Sequence, residues 1–173
     1  MQIVKIILGI MAFLLCFAVY KVVYLPMSVV KMNREAAKLI SSRPEAALKM
    51  FIDAEAISKH NVDSLTGMGE ACLKMGKPEK VNELYGDLFL LPAMQKFEGV
   101  PNYRVIKNAE VFYLWGQANL LTKDYALAKK ALDKSCDILN RSNLSEREMP
   151  GWEKDVGRKR DVAKKFLKNP NAK

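Results

Sequence analysis

Three cysteines and a single histidine among 173 residues leave little material for metal or nucleophile chemistry. Cys16, Cys72 and Cys136 lie far apart and form no C-x-x-C pair, so neither a disulfide framework nor a metal site is suggested; their expected role is that of small buried hydrophobes. His60 stands at a predicted helix junction without a nucleophile and carboxylate arranged around it. There is no phosphate loop and no HExxH sequence. Gly67-x-Gly69 follows no predicted strand, so it is read as a place where helices approach closely and not as a dinucleotide loop. These absences predict a protein that is not an enzyme and uses no cofactor and no metal.

What the chain has in quantity is apolar residues, half of its length, and positive charge, formally +9. Residues 3–25 are apolar except for Lys5 and Lys21, both near enough to the ends of the run to snorkel toward water. At 1.5 Å per residue, roughly 20 residues cross a hydrocarbon core of about 30 Å, so the run predicts a transmembrane anchor. A secretory signal is the rival reading, but no small-x-small cleavage site follows, and Leu14-Leu15-Cys16 does not suit lipoprotein attachment. Lys21, Lys31, Arg34, Lys38 and Arg43 lie after the run against Lys5 before it. Positive-inside counting therefore expects a single-pass protein with a cytoplasmic domain; the expected location is a bacterial inner membrane, which the counting itself does not select.

Residues 61–92 carry the clearest local pattern. Leu65, Met68, Gly69 and Cys72 recur at i, i+3, i+4 and i+7, one face of a helix; Gly76-Lys77-Pro78 ends it, and Val81, Leu84, Tyr85 and Leu88 give a second helix its own stripe. The hairpin resembles the tetratricopeptide repeat, whose pattern of W-x2-L-G-x2-Y, A-x3-F and P is here Leu65-x2-Met68-Gly69-x2-Cys72, Val81-x3-Tyr85 and Pro92. Ala47 and Phe51 lie one full repeat period before Val81 and Tyr85, and Phe112-x2-Trp115-Gly116-x2-Asn119 with Ala128-x3-Leu132 repeats the internal spacing downstream. The same period puts Lys31, Arg34, Glu35 and Lys38 at the core positions of the first copy, so its first helix, residues 27–41, is read as degenerate.

The expected fold is all-α: an N-terminal transmembrane helix, then a tetratricopeptide-like superhelix of about three helical hairpins plus a capping helix. The expected divisions are an anchor at 1–26, a repeat domain at 27–145, and a capping helix with a basic tail at 146–173. Ser145-x-x-Glu148 reads as a capping box before that last helix. From Arg158 onward, seven cations face only Asp161, supplying +6 of the net charge.

The resemblance implies a concave surface that holds a partner protein, here in a membrane assembly. The expected groove comprises Thr66, Glu70, Leu73, Tyr113, Gln117 and Leu120, joined by Phe97 and Tyr103 from an apolar insert over residues 93–108 that either binds a partner or covers the domain's own groove. The basic and asparagine pattern with which one subclass clamps a terminal carboxylate is absent. The alternative function is tethering of anionic lipid or nucleic acid through the basic tail. Without interleaved aromatic residues in that tail, nucleic acid is the less expected partner.

Overall fold

The computed structural model describes residues 2–86, 101–142, 144, 145 and 147–168, with the side chains of residues 2–6, 8 and 22 excepted. Its described elements are helical throughout: α1 (Gln2–Val19), a π-helical segment (Tyr20–Tyr24), α2 (Leu25–Leu39), α3 (Pro44–Ile57), α4 (Val62–Lys74), α5 (Glu79–Tyr85), α6 (Asn102–Leu121), α7 (Tyr125–Arg141) and α8 (Glu153–Lys168).

The expected transmembrane helix is corrected. Among the described residues no helix is long and apolar enough to cross a membrane. The apolar run divides at Val19: α1 has 18 residues, about 27 Å at 1.5 Å per residue, short of a core of about 30 Å. The ladder then widens, Leu25 N–H donating to Tyr20 O across a π turn, and α2 brings in Lys31, Arg34, Glu35 and Lys38. The anchor at 1–26, the single-pass topology and the inner-membrane location that rested on it are withdrawn.

The rest is a stack of helical hairpins, α2/α3, α4/α5 and α6/α7, with α8 after them. The first helices of successive hairpins touch, α2 to α4 and α4 to α6, and α8 packs chiefly on α7, much as α4 packs on α3. The core is built from the recurrent positions: Leu65, Met68, Cys72, Val81 and Tyr85 in one hairpin, and Phe112, Trp115, Asn119, Ala128 and Leu132 in the next, are all buried.

Glycine makes the close approaches possible. A Cβ at Gly69 would overlap the Tyr85 hydroxyl of the paired helix, and a Cβ at Gly116 would lie 2.5 Å from Leu132 Cγ. The step along the chain from Gly69 to Tyr85 equals that from Gly116 to Leu132, so the two hairpins solve one packing problem in one way. Gly67 opens the other flank of α4, where a Cβ would overlap the Phe51 ring of α3. The buried Tyr85 hydroxyl donates to Leu65 O, and the Tyr85 ring meets Trp115 edge-on at 6.2 Å between centroids. Trp115 Nε1 and Asn119 Nδ2 both donate to Asn82 Oδ1, at 2.7 and 2.9 Å, fastening α6 to α5.

Helix ends follow local chemistry. Asn61 caps α4 by accepting from Asp63 N and Ser64 N, and the same Oδ1 accepts from Asn33 of α2 at 3.2 Å. Gly76, at φ 68, closes α4, with Lys77 N donating to Cys72 O and Gly76 N to Leu73 O. Ser145 and Glu148 do bond to each other, but in a turn that precedes α8, which begins beyond Pro150 and Gly151.

Two expectations about register change. In α2 the buried residues are Val29, Asn33 and Ala36, not the charged set that the repeat period selects. The burial pattern of the first helix is thus out of step with that period: Val29-x2-Met32-Asn33-x2-Ala36, with all but Met32 buried, has the internal spacing of Leu65-x2-Met68-Gly69-x2-Cys72. The second half of the expected insert is helix: α6 starts at Asn102, Val105 enters the core and Tyr103 is 57% exposed.

If the Tyr85 hydroxyl is what excludes a side chain at position 69, Gly69→Ala should lose about 1–3 kcal/mol of stability in urea unfolding and much less in a Tyr85→Phe background. An equal loss in both backgrounds would contradict this.

Candidate functional site: a groove on the first-helix face

Residues three and four apart share a helix face, so Asp63, Thr66, Gly67 and Glu70 of α4 lie on one face, Asp63 exposed and Thr66 and Gly67 buried. They form one side of a cavity of about 270 Å³ whose other sides are Val30, Asn33, Arg34, Ala37 and Ile40 from α2 and the end of its last turn, Phe51 from α3, and Lys107 from α6. Two successive first helices, α2 and α4, thus face each other across it.

The floor is mostly apolar and the walls are charged. Lys107 Nζ lies 2.7 Å from Glu110 Oε2, an i,i+3 pair on α6. Glu70 is half-buried and belongs to no hydrogen bond or ion pair found among the described residues. Burial pushes its carboxyl above the ordinary value of 4.5, the neighbouring Glu110 charge adds to this, and Lys107 opposes it. The Asn33 amide, by contrast, is engaged: Oδ1 accepts from Ser64 Oγ at 3.0 Å, and Nδ2 donates to Asn61.

The expected groove residues do not form one surface. Thr66 and Glu70 line the cavity, although the Thr66 hydroxyl is spent on Val62 O at 2.8 Å within its own helix. Leu73 is half-buried against the core. Tyr113, the equivalent of Thr66 in α6, is covered by α8: its ring stacks on Trp152 at 4.9 Å, its hydroxyl donates to Asp155, and Lys159 Nζ sits 5.0 Å from its ring centroid. Leu120 packs into the same cluster, with Leu132 and Val156, and Gln117 is half-buried. Tyr103 lies instead on a more polar hollow of about 230 Å³ with His60, Asn61 and Asn108. Phe97 lies outside the described residues. The repeat period does not reach the α2 wall or Lys107; the signal for the former is the spacing Val29-x2-Met32-Asn33-x2-Ala36, which is that of Leu65-x2-Met68-Gly69-x2-Cys72.

The basic run is α8, which buries Val156 and Ala163. Asp155 pairs with Arg158 at 3.5 Å and Lys159 at 2.8 Å, and Asp161 with Arg160 at 3.7 Å and Lys164 at 3.8 Å, so two carboxylates are shared among four cations and the helix keeps a net positive charge. Hydrogen bonds from Lys159 and then Tyr113 hold the Asp155 carboxyl below its ordinary 3.8, while burial and then the bond to Asp155 push the Tyr113 phenol up.

No family model matches this chain, and neither a curated protein nor a solved structure matches it.

Two stability measurements follow from these titrations. A carboxyl whose folded pKa is raised binds its proton more tightly in the native state, so its contribution is most favourable at low pH and is lost as pH rises above the ordinary 4.5. Glu70→Gln should therefore raise the melting temperature at pH 7, with the gain shrinking toward pH 4; a destabilised variant at pH 7 would show that Glu70 has a stabilising partner. Asp155 has the opposite sign: its lowered pKa contributes stability above the ordinary 3.8 that is lost as pH falls through the folded value. Tyr113→Phe should cost about 1–2 kcal/mol at pH 7, less as Asp155 protonates, and a cost independent of pH would contradict the role given to Asp155.

Proposed function

We propose that this protein is a non-enzymatic binding module, a tetratricopeptide-like adaptor that holds a segment of a partner protein in the groove between α2, α4 and α6. The observation that carries the reading is the cavity itself. It lies between the successive first helices α2, α4 and α6, where Ala37, Ile40, Phe51 and Gly67 line it together with charged side chains. A mostly apolar floor with a few polar groups above it is the usual form of a site that gains affinity from burial and selectivity from polar contacts. The first-helix face is also where stacked helical repeats present their extended binding surfaces. The spacing of the repeat positions and their burial support the family resemblance; the role as an accessory subunit of a larger assembly is part of the same proposal.

Ala37 is exposed on α2 and lines the cavity, so Ala37→Trp fills the groove without touching the core. Affinity purification of the full chain from its native cells should recover, by quantitative mass spectrometry, partner proteins that fall about tenfold or more with Ala37→Trp, a loss of about 1.4 kcal/mol of binding or more. Leu121→Trp, a change at an exposed residue on the far end of α6, should leave them unchanged. Equal recovery with Ala37→Trp would overturn the groove as the binding site.

A further inference from the structure

We infer that the groove takes a cationic side chain, a lysine or arginine presented by the partner segment, with the Glu70 carboxylate as its counter-ion. This rests on the groove reading above and adds the chemistry of the occupant.

Five charged groups decide the matter: Arg34, Asp63, Glu70 and Lys107 line the cavity, and Glu110 joins through Lys107. Lys107 Nζ is paired with Glu110 across 2.7 Å, and the charges of both reach Glu70 with opposite sign, Glu110 outweighing Lys107. Arg34 and Asp63 are exposed, so water solvates both and each needs no partner. Glu70 differs from all of these. It is half-buried, with neither an ion pair nor a hydrogen bond found among the described residues, and a carboxylate drawn out of water without a partner is costly. A cation arriving from outside would remove that cost, which makes the cavity beside Glu70 selective for positive charge. An acidic side chain would instead become a further carboxylate beside Glu70, with Glu110 close by.

Shape agrees with charge. Lysine and arginine carry their charge on an apolar stem, and the floor of Ala37, Ile40, Phe51 and Gly67 offers apolar surface for such a stem while the head reaches Glu70. A volume of about 270 Å³ suits one long side chain with its backbone at the rim. At that rim the Arg34 guanidinium, on the α2 wall, can donate to a backbone carbonyl of the segment.

The test is selection of a random twelve-residue display library on the full chain, using wild type, Glu70→Gln and Ala37→Trp, each first shown by circular dichroism to keep its helical content and to melt cooperatively. Wild type should enrich lysine or arginine at one fixed position of the selected peptides by about tenfold, Glu70→Gln should lose that enrichment, and Ala37→Trp should select nothing. Should wild type select peptides that Ala37→Trp rejects, but with an acidic or uncharged residue at the fixed position, the cationic occupant is overturned and the groove stands. The same holds if Glu70→Gln still selects the basic position. If wild type selects nothing, or Ala37→Trp selects the wild-type peptides, the groove reading falls and the inference with it.

Discussion

Where a glycine of one helix meets a large side chain of the next, helix axes come closer than ordinary side chains permit, and the arrangement of this protein depends on that contact. Gly69 admits Tyr85, Gly116 admits Leu132 and Gly67 admits Phe51. Because α4 carries two of these glycines, α3 and α5 press on it from different flanks while α6 and α2 also touch it. So placed, α4 is the central helix of the stack, and Asp63, Thr66 and Glu70 mark the face it turns to the groove. The groove is thus a by-product of close packing elsewhere: what the glycines yield to Phe51 and Tyr85 determines what remains uncovered.

The two ends of the first-helix face differ in what occupies them. Between α2, α4 and α6, Asn33, Thr66, Ala37 and Glu70 line a cavity that no described residue fills. Between α6 and α8 the corresponding place is filled from within, by Trp152 against the Tyr113 ring and by Asp155 and Lys159 at its hydroxyl. A stack of hairpins leaves an apolar edge at its last layer, and α8 covers that edge with Val156 and Ala163 while turning its charges outward. The electrostatics follow the same division: Asp155 is held ionised by hydrogen bonds from Lys159 and Tyr113, whereas Glu70, among the described residues, has no ion pair or hydrogen bond and feels only the charges of Glu110 and Lys107.

Much of the helical stack was legible in the sequence because its spacing is local. Leu65, Met68, Gly69 and Cys72 predict their own burial from helical period alone, and Asn61 and Gly76 mark the ends of α4 by cap chemistry. In the first copy a fixed period selects charged residues of α2 in place of Val29, Asn33 and Ala36, because each residue of slip turns a helix by about 100°, and this hides the α2 wall of the groove. The apolar run at residues 3–25 is long enough by count to span a bilayer; composition does not reveal that the ladder changes to a π turn at Tyr20. Tyr113 was expected to face a partner because repeat position alone cannot show that Trp152, much later in the chain, lies over it.

The central claim is that the open end of the first-helix face is where a partner sits. Site-specific photo-crosslinking tests it most directly: a photoreactive amino acid at Ala37 in one variant of the full chain, and at Leu121 in another, followed by irradiation in the native cells. A discrete partner adduct formed from position 37 and not from position 121 is the predicted result. Adducts from position 121 alone, or from neither position, would contradict the account.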